Sequence, residues 1–280
     1  MRERSIKGRK LANSAITVIA GFAAAIGLLI LLWILYTVAA RGIPSINWSF
    51  FTTTPDSPEG GLANAIVGTL MITGLATLIG VPLGLLAGVY LSEFGQDKWL
   101  ANTVRFLSNI LIGAPSIVIG MFAYTLIVLR FGNFSGYAGA IALAIIMLPI
   151  VARTTEDMLK LVPNSYRESA LALGAPEYKM IFQVIFRAAR SGLLTGVMLA
   201  VARVSGETAP LLFTALNNRY WSLDMSKPIG NLTVTIFNYA MSPNTDWQAK
   251  AWGASLLITA SVLALNLTAR FIARERKTRV

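Results

Sequence analysis

Residues 161–188, LVPNSYRESALALGAPEYKMIFQVIFRA, form a polar island between long apolar runs. Pro163 ends any helix that precedes it, because its ring removes a backbone donor and disfavours helical geometry one residue earlier. Ser165 followed by Glu168 has the spacing of a capping box, in which the hydroxyl accepts from the Glu168 amide and the carboxylate reaches back. That predicts a short helix from Tyr166 to Leu173. Gly174 suits the left-handed position that closes such a helix, and Pro176 suits the opening of the next. The expected element is a compact knob: a short helix, a sharp bend, and a second helix leading back into apolar sequence.

The surrounding sequence is too apolar for a soluble domain. The 280 residues are 55% hydrophobic and only 13% charged, with a mean hydropathy of +0.63, against about a quarter charged in ordinary globular chains. A helix crossing about 30 Å of hydrocarbon needs roughly 20 apolar residues. Six runs qualify, at about 11–40, 62–91, 104–129, 136–152, 191–216 and 252–272. The fourth is short, which predicts that its helix continues past Arg153 beyond the bilayer. The first follows a basic start like that of a signal peptide. Its apolar stretch is too long for one and no small-x-small cleavage site follows, so it is expected to remain as a helix. The fold class is an all-α integral membrane protein with six transmembrane helices.

The basic residues set the orientation. Arg2, Arg4, Lys7, Arg9 and Lys10 precede the first run, and Lys98 and Arg105 join the second to the third. Arg153, Lys160, Arg167, Lys179, Arg187 and Arg190 join the fourth to the fifth, and Arg270, Arg274, Arg276, Lys277 and Arg279 close the chain. Arg41, Arg130, Arg219, Lys227 and Lys250 occupy the other side, leaving Arg203 inside a span. This asymmetry is the positive-inside pattern and predicts both termini in the cytoplasm. The net charge of +11 is then a matter of topology, and nucleic acid has no place in the account.

The chain has no Cys and no His, which excludes disulfides, thiol redox chemistry, Cys/His zinc sites and imidazole acid–base catalysis. It also lacks the G-x-x-x-x-G-K-[ST] phosphate loop, so ATP hydrolysis would have to come from another subunit. No metal or cofactor is expected on the chain itself.

Two exterior loops are long, 41–61 and 217–251. Their aromatic residues, among them Trp48, Phe50, Phe51, Tyr220, Trp221, Tyr239 and Trp247, suit headgroup depth, with contact to an external partner as the other reading. Gly80, Gly84 and Gly88 recur every four residues in the second span, as do Gly192 and Gly196 in the fifth. Such rows let helix backbones approach closely, within the subunit or at an interface with another.

The fifth run contains ARVSGETAPLLF, residues 202–213. Arg203 lies about a dozen residues from either end of the span, where a charge costs roughly 2.5–3.5 kcal/mol on insertion scales. Glu207 follows four residues later, on the same helical face, and Pro210 loosens the helix beside the pair. The two readings are an Arg–Glu bridge that locks helices, and a gate or transient site for an anion. For the second, the planar guanidinium fork suits an oxyanion, Glu207 holds it between ions, and Ser205 and Thr208 are neutral donors.

Glu168-Ser169-Ala170 with Gly174 six residues after Glu168 resembles the EAA-x-x-x-G loop of ABC importer permeases. Across most of the chain, GLLTGVMLAVARVSGETAPLLFTA, GGLANAIVGTL, APSIVIGMFAY and RTTEDMLKLVP resemble the phosphate permease family within that group. The resemblance implies a type I ABC importer permease (MetI-like) fold in a bacterial cytoplasmic (inner) membrane. It implies a PstC-like permease partner, two PstB-like ATPase subunits that use ATP and Mg, and a PstS-like phosphate-binding protein outside. It makes 1–61 a leading helix and loop, 62–273 the permease domain with its coupling loop at 163–188, and 274–280 a basic tail. Ser165, Arg167, Glu168, Ser169, Ala170, Leu171 and Gly174 would couple to the ATPase. Arg203, Glu207, Thr208, Ser205 and Arg153 would line the substrate path. Where the family pattern usually ends in Leu-Pro, this chain has Phe186-Arg187, which bears on how the second helix leaves the loop. The implied function is a non-catalytic permease subunit of an ATP-driven phosphate importer. The rivals are a permease for sulfate or molybdate, an ATP-independent channel or secondary transporter, and a membrane-embedded enzyme.

Overall fold

The structure, a computed structural model, describes residues 6–57, 60–95 and 98–275. The basic residues Arg2, Arg4, Arg276, Lys277 and Arg279 lie outside the described residues. Every regular element is helical: α1 Ile6–Gly42, α2 Trp48–Thr52, α3 Ala63–Phe94, α4 Trp99–Gly113, α5 Ser116–Phe131 and α6 Gly136–Lys160. There follow α7 Asn164–Ala172, α8 Glu177–Ser205, α9 Ala209–Thr214, α10 Leu232–Ala240 and α11 Thr245–Glu275. Among the described residues five helices are long and apolar enough to cross a membrane, and α4 with α5, taken as one bent span, makes six. As the short fourth run required, α6 continues past Arg153 to Lys160.

The core is organised around α6, which is buried over most of its length. The glycine row of α3 lies on one side. A Cβ added at Gly80 would stand 3.2 Å from the Met147 side chain, one at Gly84 would stand 2.7 Å from Val151 Cβ, and one at Gly88 would collide with Thr155. The constant offset of these pairs makes α3 and α6 parallel. The row of α8 lies on another side, with Gly192 against Met158 and Gly196 against Thr154, in the reversed order of an antiparallel pair. Both glycine rows therefore serve packing within the subunit, since only a missing side chain lets these backbones meet. By contrast α1 packs on α11 and leaves its apolar surface exposed on the subunit.

Two expected spans differ from the sequence reading. The third is not one helix over 104–129. It is broken at Ala114-Pro115, and α4 and α5 meet at 107°. Pro115 cannot continue the helix and forces the residue before it into extended geometry, seen as ψ 138 at Ala114. The fifth is not continuous over 191–216. It ends at Ser205 and resumes at Ala209, because Gly206 adds little to a helix and Pro210 lies in the first turn of a new one.

The second long loop folds back into the protein. Residues 229–235 are buried and α10 starts there, capped by Asn231, whose Oδ1 accepts from the Val234 amide at 3.0 Å. Asn231 Nδ2 donates to the Leu216 carbonyl at 2.9 Å, and Thr69 Oγ1 receives the Leu232 amide at 2.8 Å. The loop aromatics divide accordingly. Phe50 and Tyr239 are core residues, and Trp48 stays exposed. Tyr239 stacks on Trp247 at 4.8 Å, with the Arg219 guanidinium 4.9 Å from the Trp247 ring.

Candidate functional site

Arg203 sits in the last turn of α8. Because Gly196 faces Thr154 in an antiparallel pair, Arg203 lies level with about Met147, near the middle of the 25-residue α6. Its side chain is exposed on the subunit surface while its neighbours Ala202 and Val204 are buried. Glu207 is half-buried in the break between α8 and α9. The expected shared helical face is absent, because the helix stops between the two residues, and no ion pair joins them among the described residues. The break is held by its backbone instead. The Glu207 amide donates to the Val204 carbonyl at 3.2 Å, and the Glu207 carbonyl accepts from Thr233 Oγ1 at 3.0 Å. The folded-back loop thus supports the interruption, as irregular backbone at membrane depth requires.

The neutral donors are not equivalent. Ser205 Oγ donates to the Val201 carbonyl at 2.7 Å, so its proton is committed to the helix end. Thr208 is the residue preceding α9 and its side chain makes no capping hydrogen bond. Arg153 is half-exposed far along α6, paired with Asp157 at 3.3 Å and with Glu156 at 3.5 Å.

The knob forms with its predicted bend and a different start. α7 begins at Asn164 directly after Pro163, so Ser165 lies inside the first turn and no side chain caps the helix. The Ser165–Glu168 capping box is therefore not made. The end matches expectation: Gly174 has φ +77, its amide donates to Leu171, and the Ala175 amide donates to Ala170, the paired bonds of a Schellman motif. Ser165, Glu168, Ser169 and Leu171 are exposed, whereas Ala170 is buried. Residues Phe186 and Arg187 run through as uninterrupted helix, with a π-helical stretch at Met180–Ile185 just before them. Without a proline the chain has no reason to break there, and Phe186 packs on Phe182 at 5.4 Å.

Arg167 points inward. Its Nε and Nη2 donate to the two carboxylate oxygens of Glu93 at 2.9 and 2.8 Å, and Nη1 and Nη2 reach the carbonyls of Val162 and Leu159 at 2.8 and 3.0 Å. The hydrogen bond to Glu93 raises the Arg167 pKa above its ordinary value, so the guanidinium stays charged. A second carboxylate gathers the neighbouring cations. Glu156, fully buried, accepts from Arg105 Nε at 2.7 Å and Lys160 Nζ at 2.6 Å. The grouping of Arg153, Glu156, Asp157 and Lys160 at helical spacing is legible in sequence. The partnerships of Glu93 with Arg167 and of Glu156 with Arg105 span distant segments and carry no local signal. Among the described residues no group of three acidic, His or Cys side chains could hold a metal.

Residues 80–277 match the family described as binding-protein-dependent transport system inner membrane component. The phosphate transport system permease protein PstA of Yersinia pestis is 52% identical over 254 residues, covering 90% of this chain and 86% of the relative. The protein of the same name from Haemophilus influenzae is 50% identical, covering 96% of each chain. A probable PstA of Methanocaldococcus jannaschii is 37% identical, covering 95% of each. Among solved structures, an inward-facing MetNI methionine ABC transporter chain superposes with a TM-score of 0.64 at 21% identity, covering 76% of this chain and 95% of that one. At that identity the likeness concerns the fold alone. With matches of this extent, the chain belongs to the PstA family of binding-protein-dependent inner-membrane transport components.

Proposed function

We propose that this chain is the non-catalytic permease subunit of an ATP-driven importer of inorganic phosphate, forming half of the translocation path. The observation that carries the reading is Arg203, exposed on the isolated subunit at the level of the middle of the apolar helix α6. A guanidinium facing lipid there is penalised by roughly 2.5–3.5 kcal/mol on insertion scales, so that face belongs against a second subunit or a hydrated path. An oxyanion satisfies the guanidinium fork bidentately. The names of the relatives supply the anion, phosphate.

In this reading Arg203 meets phosphate, with Thr208 as a neutral donor and Glu207 in the break available to hold the guanidinium between ions. Ser205 supports the helix end, and Arg153 lies toward the exit. The termini and the α7 knob face the cytoplasm, in keeping with the excess of Lys and Arg at that end. The exposed face of α7, with Glu168, Ser169 and Leu171, docks on one of two PstB-like ATPases, which bind the ATP and Mg. Residues 62–273 form the permease domain and pair with a PstC-like permease, and a PstS-like binding protein delivers phosphate to the exterior loops.

The test is radiolabelled phosphate uptake by the assembled transporter carrying Arg203→Gln. Uptake should be abolished while the subunits still co-purify. Normal uptake would reduce Arg203 to a structural role and remove the proposed site.

A further inference from the structure

The short helix α7 is connected to the bundle by two short joints, residues 161–163 and the bend at Gly174 with its positive φ. A nine-residue helix on such joints would swivel under load unless something fixed it. On the α8 side the contact is apolar: Ala170 belongs to a cluster with Met180, Ile181 and Ile185. Apolar contact is non-directional and sets no orientation by itself. On the other side the attachment is polar and directional. Arg167 grips both oxygens of Glu93 at the end of α3, and the same guanidinium reaches the Leu159 and Val162 carbonyls at the end of α6. Asn164 Oδ1 accepts from Nη1 at 3.3 Å, and Ser92 Oγ steadies the carboxylate at 2.8 Å. Both side chains are largely buried, at 18% and 6% exposure, so water does not compete for the bond.

Glu93 lies in a π-helical turn, Tyr90–Phe94, that ends α3. Such turns often occur at functional sites. Above it, α3 and α6 are already joined by the seam of Gly80, Gly84 and Gly88 against Met147, Val151 and Thr155. The single guanidinium therefore ties the knob to a pair of helices that behaves as one unit.

We infer that Glu93 and Arg167 are positioning residues of the coupling step, making α7 move as one body with α3 and α6 when the ATPase closes on it. This rests on the reading of α7 as the ATPase-docking helix. Neither residue touches phosphate or nucleotide. Their loss should leave docking intact, since the exposed face of α7 is unchanged, and should waste ATP.

The experiment uses the complete transporter in proteoliposomes, with phosphate uptake and ATP hydrolysis measured together. In Glu93→Gln and in Arg167→Gln, ATP consumed per phosphate should rise by about tenfold, the scale of losing a charged hydrogen bond, with the ATPase still co-purifying. Because the chain has no Cys, Glu93→Cys with Arg167→Cys in cysteine-free partners can be bridged by a reducible bis-thiosulfonate reagent. Bridging should restore the wild-type ratio and reduction should abolish it again. A ratio unchanged in the single variants, or unaffected by the bridge, overturns the inference. Should the single variants fail to assemble, the bridged variant decides alone. A wild-type complex that takes up phosphate without hydrolysing ATP would instead remove the underlying reading of α7.

Discussion

Arg105 Nε donates to Glu156 Oε1 at 2.7 Å, joining the elbow helix α4 to the end of α6 through a carboxylate with no solvent exposure. The same guanidinium donates to the Leu91 carbonyl at 2.8 Å, so one side chain fastens α4 to α3 and α6 together. This contact fixes the angle at which the third crossing begins.

Glu156→Ala leaves Arg105 in place without its carboxylate and also releases Lys160. Arg105, 20% exposed, loses its carboxylate while half-exposed Lys160 regains water, so the cost is about 1–3 kcal/mol. The purified protein in detergent should show a clearly lowered thermal unfolding midpoint. An unchanged midpoint would mean that the contact is not made in the membrane.

The glycine seam gives a comparison within one helix. Gly84→Val should destabilise by about 1–3 kcal/mol through overpacking, because an added Cβ would stand 2.7 Å from Val151 Cβ. Gly74, on the same helix with nothing within 4 Å of an added Cβ, should accept valine with little change. Equal effects at the two positions would contradict the packing of α3 on α6.

Asn231 caps α10 and holds the Leu216 carbonyl, and it is fully buried. Leu216 needs that support, since it has a φ of 56, in the left-handed region that suits glycine. Asn231→Ala should cost about 1–3 kcal/mol through unsatisfied backbone groups. Protease digestion of the purified protein should then cut within 217–244 faster than in the wild type, and equal cutting rates would argue against the folded-back loop.

Gly174→Val places a β-branched residue at a φ of +77, at a cost of roughly 1–2 kcal/mol. No neighbour lies within 4 Å of an added Cβ, so the strain is local to the bend. The expected outcome is a nearly unchanged unfolding midpoint with reduced ATPase co-purification. A complex recovered in full would show that the bend is not needed for docking.

Much of this architecture was legible in the sequence. Span length and the Gly174 bend are properties of short segments, and periodicity or local chemistry reports them directly. The rows at Gly80, Gly84, Gly88, Gly192 and Gly196 announced close approach, but their partners on α6 belong to another segment. The predicted Ser165 cap failed for a local reason: with Pro163 at the cap the helix starts two residues earlier, and Ser165 falls inside it.

The knob at 161–188 and the charge at Arg203 were thus determined by sequence alone, because a polar island and a buried-depth charge stand out against apolar runs. Only the tertiary structure decided what the charges do. Arg167 turns inward to Glu93, Arg105 to Glu156, and Arg203 stays unpaired with Glu207 because the helix breaks between them. Ion pairing depends on which helix ends converge in space, and that is set by packing around α6 rather than by any neighbour in the chain.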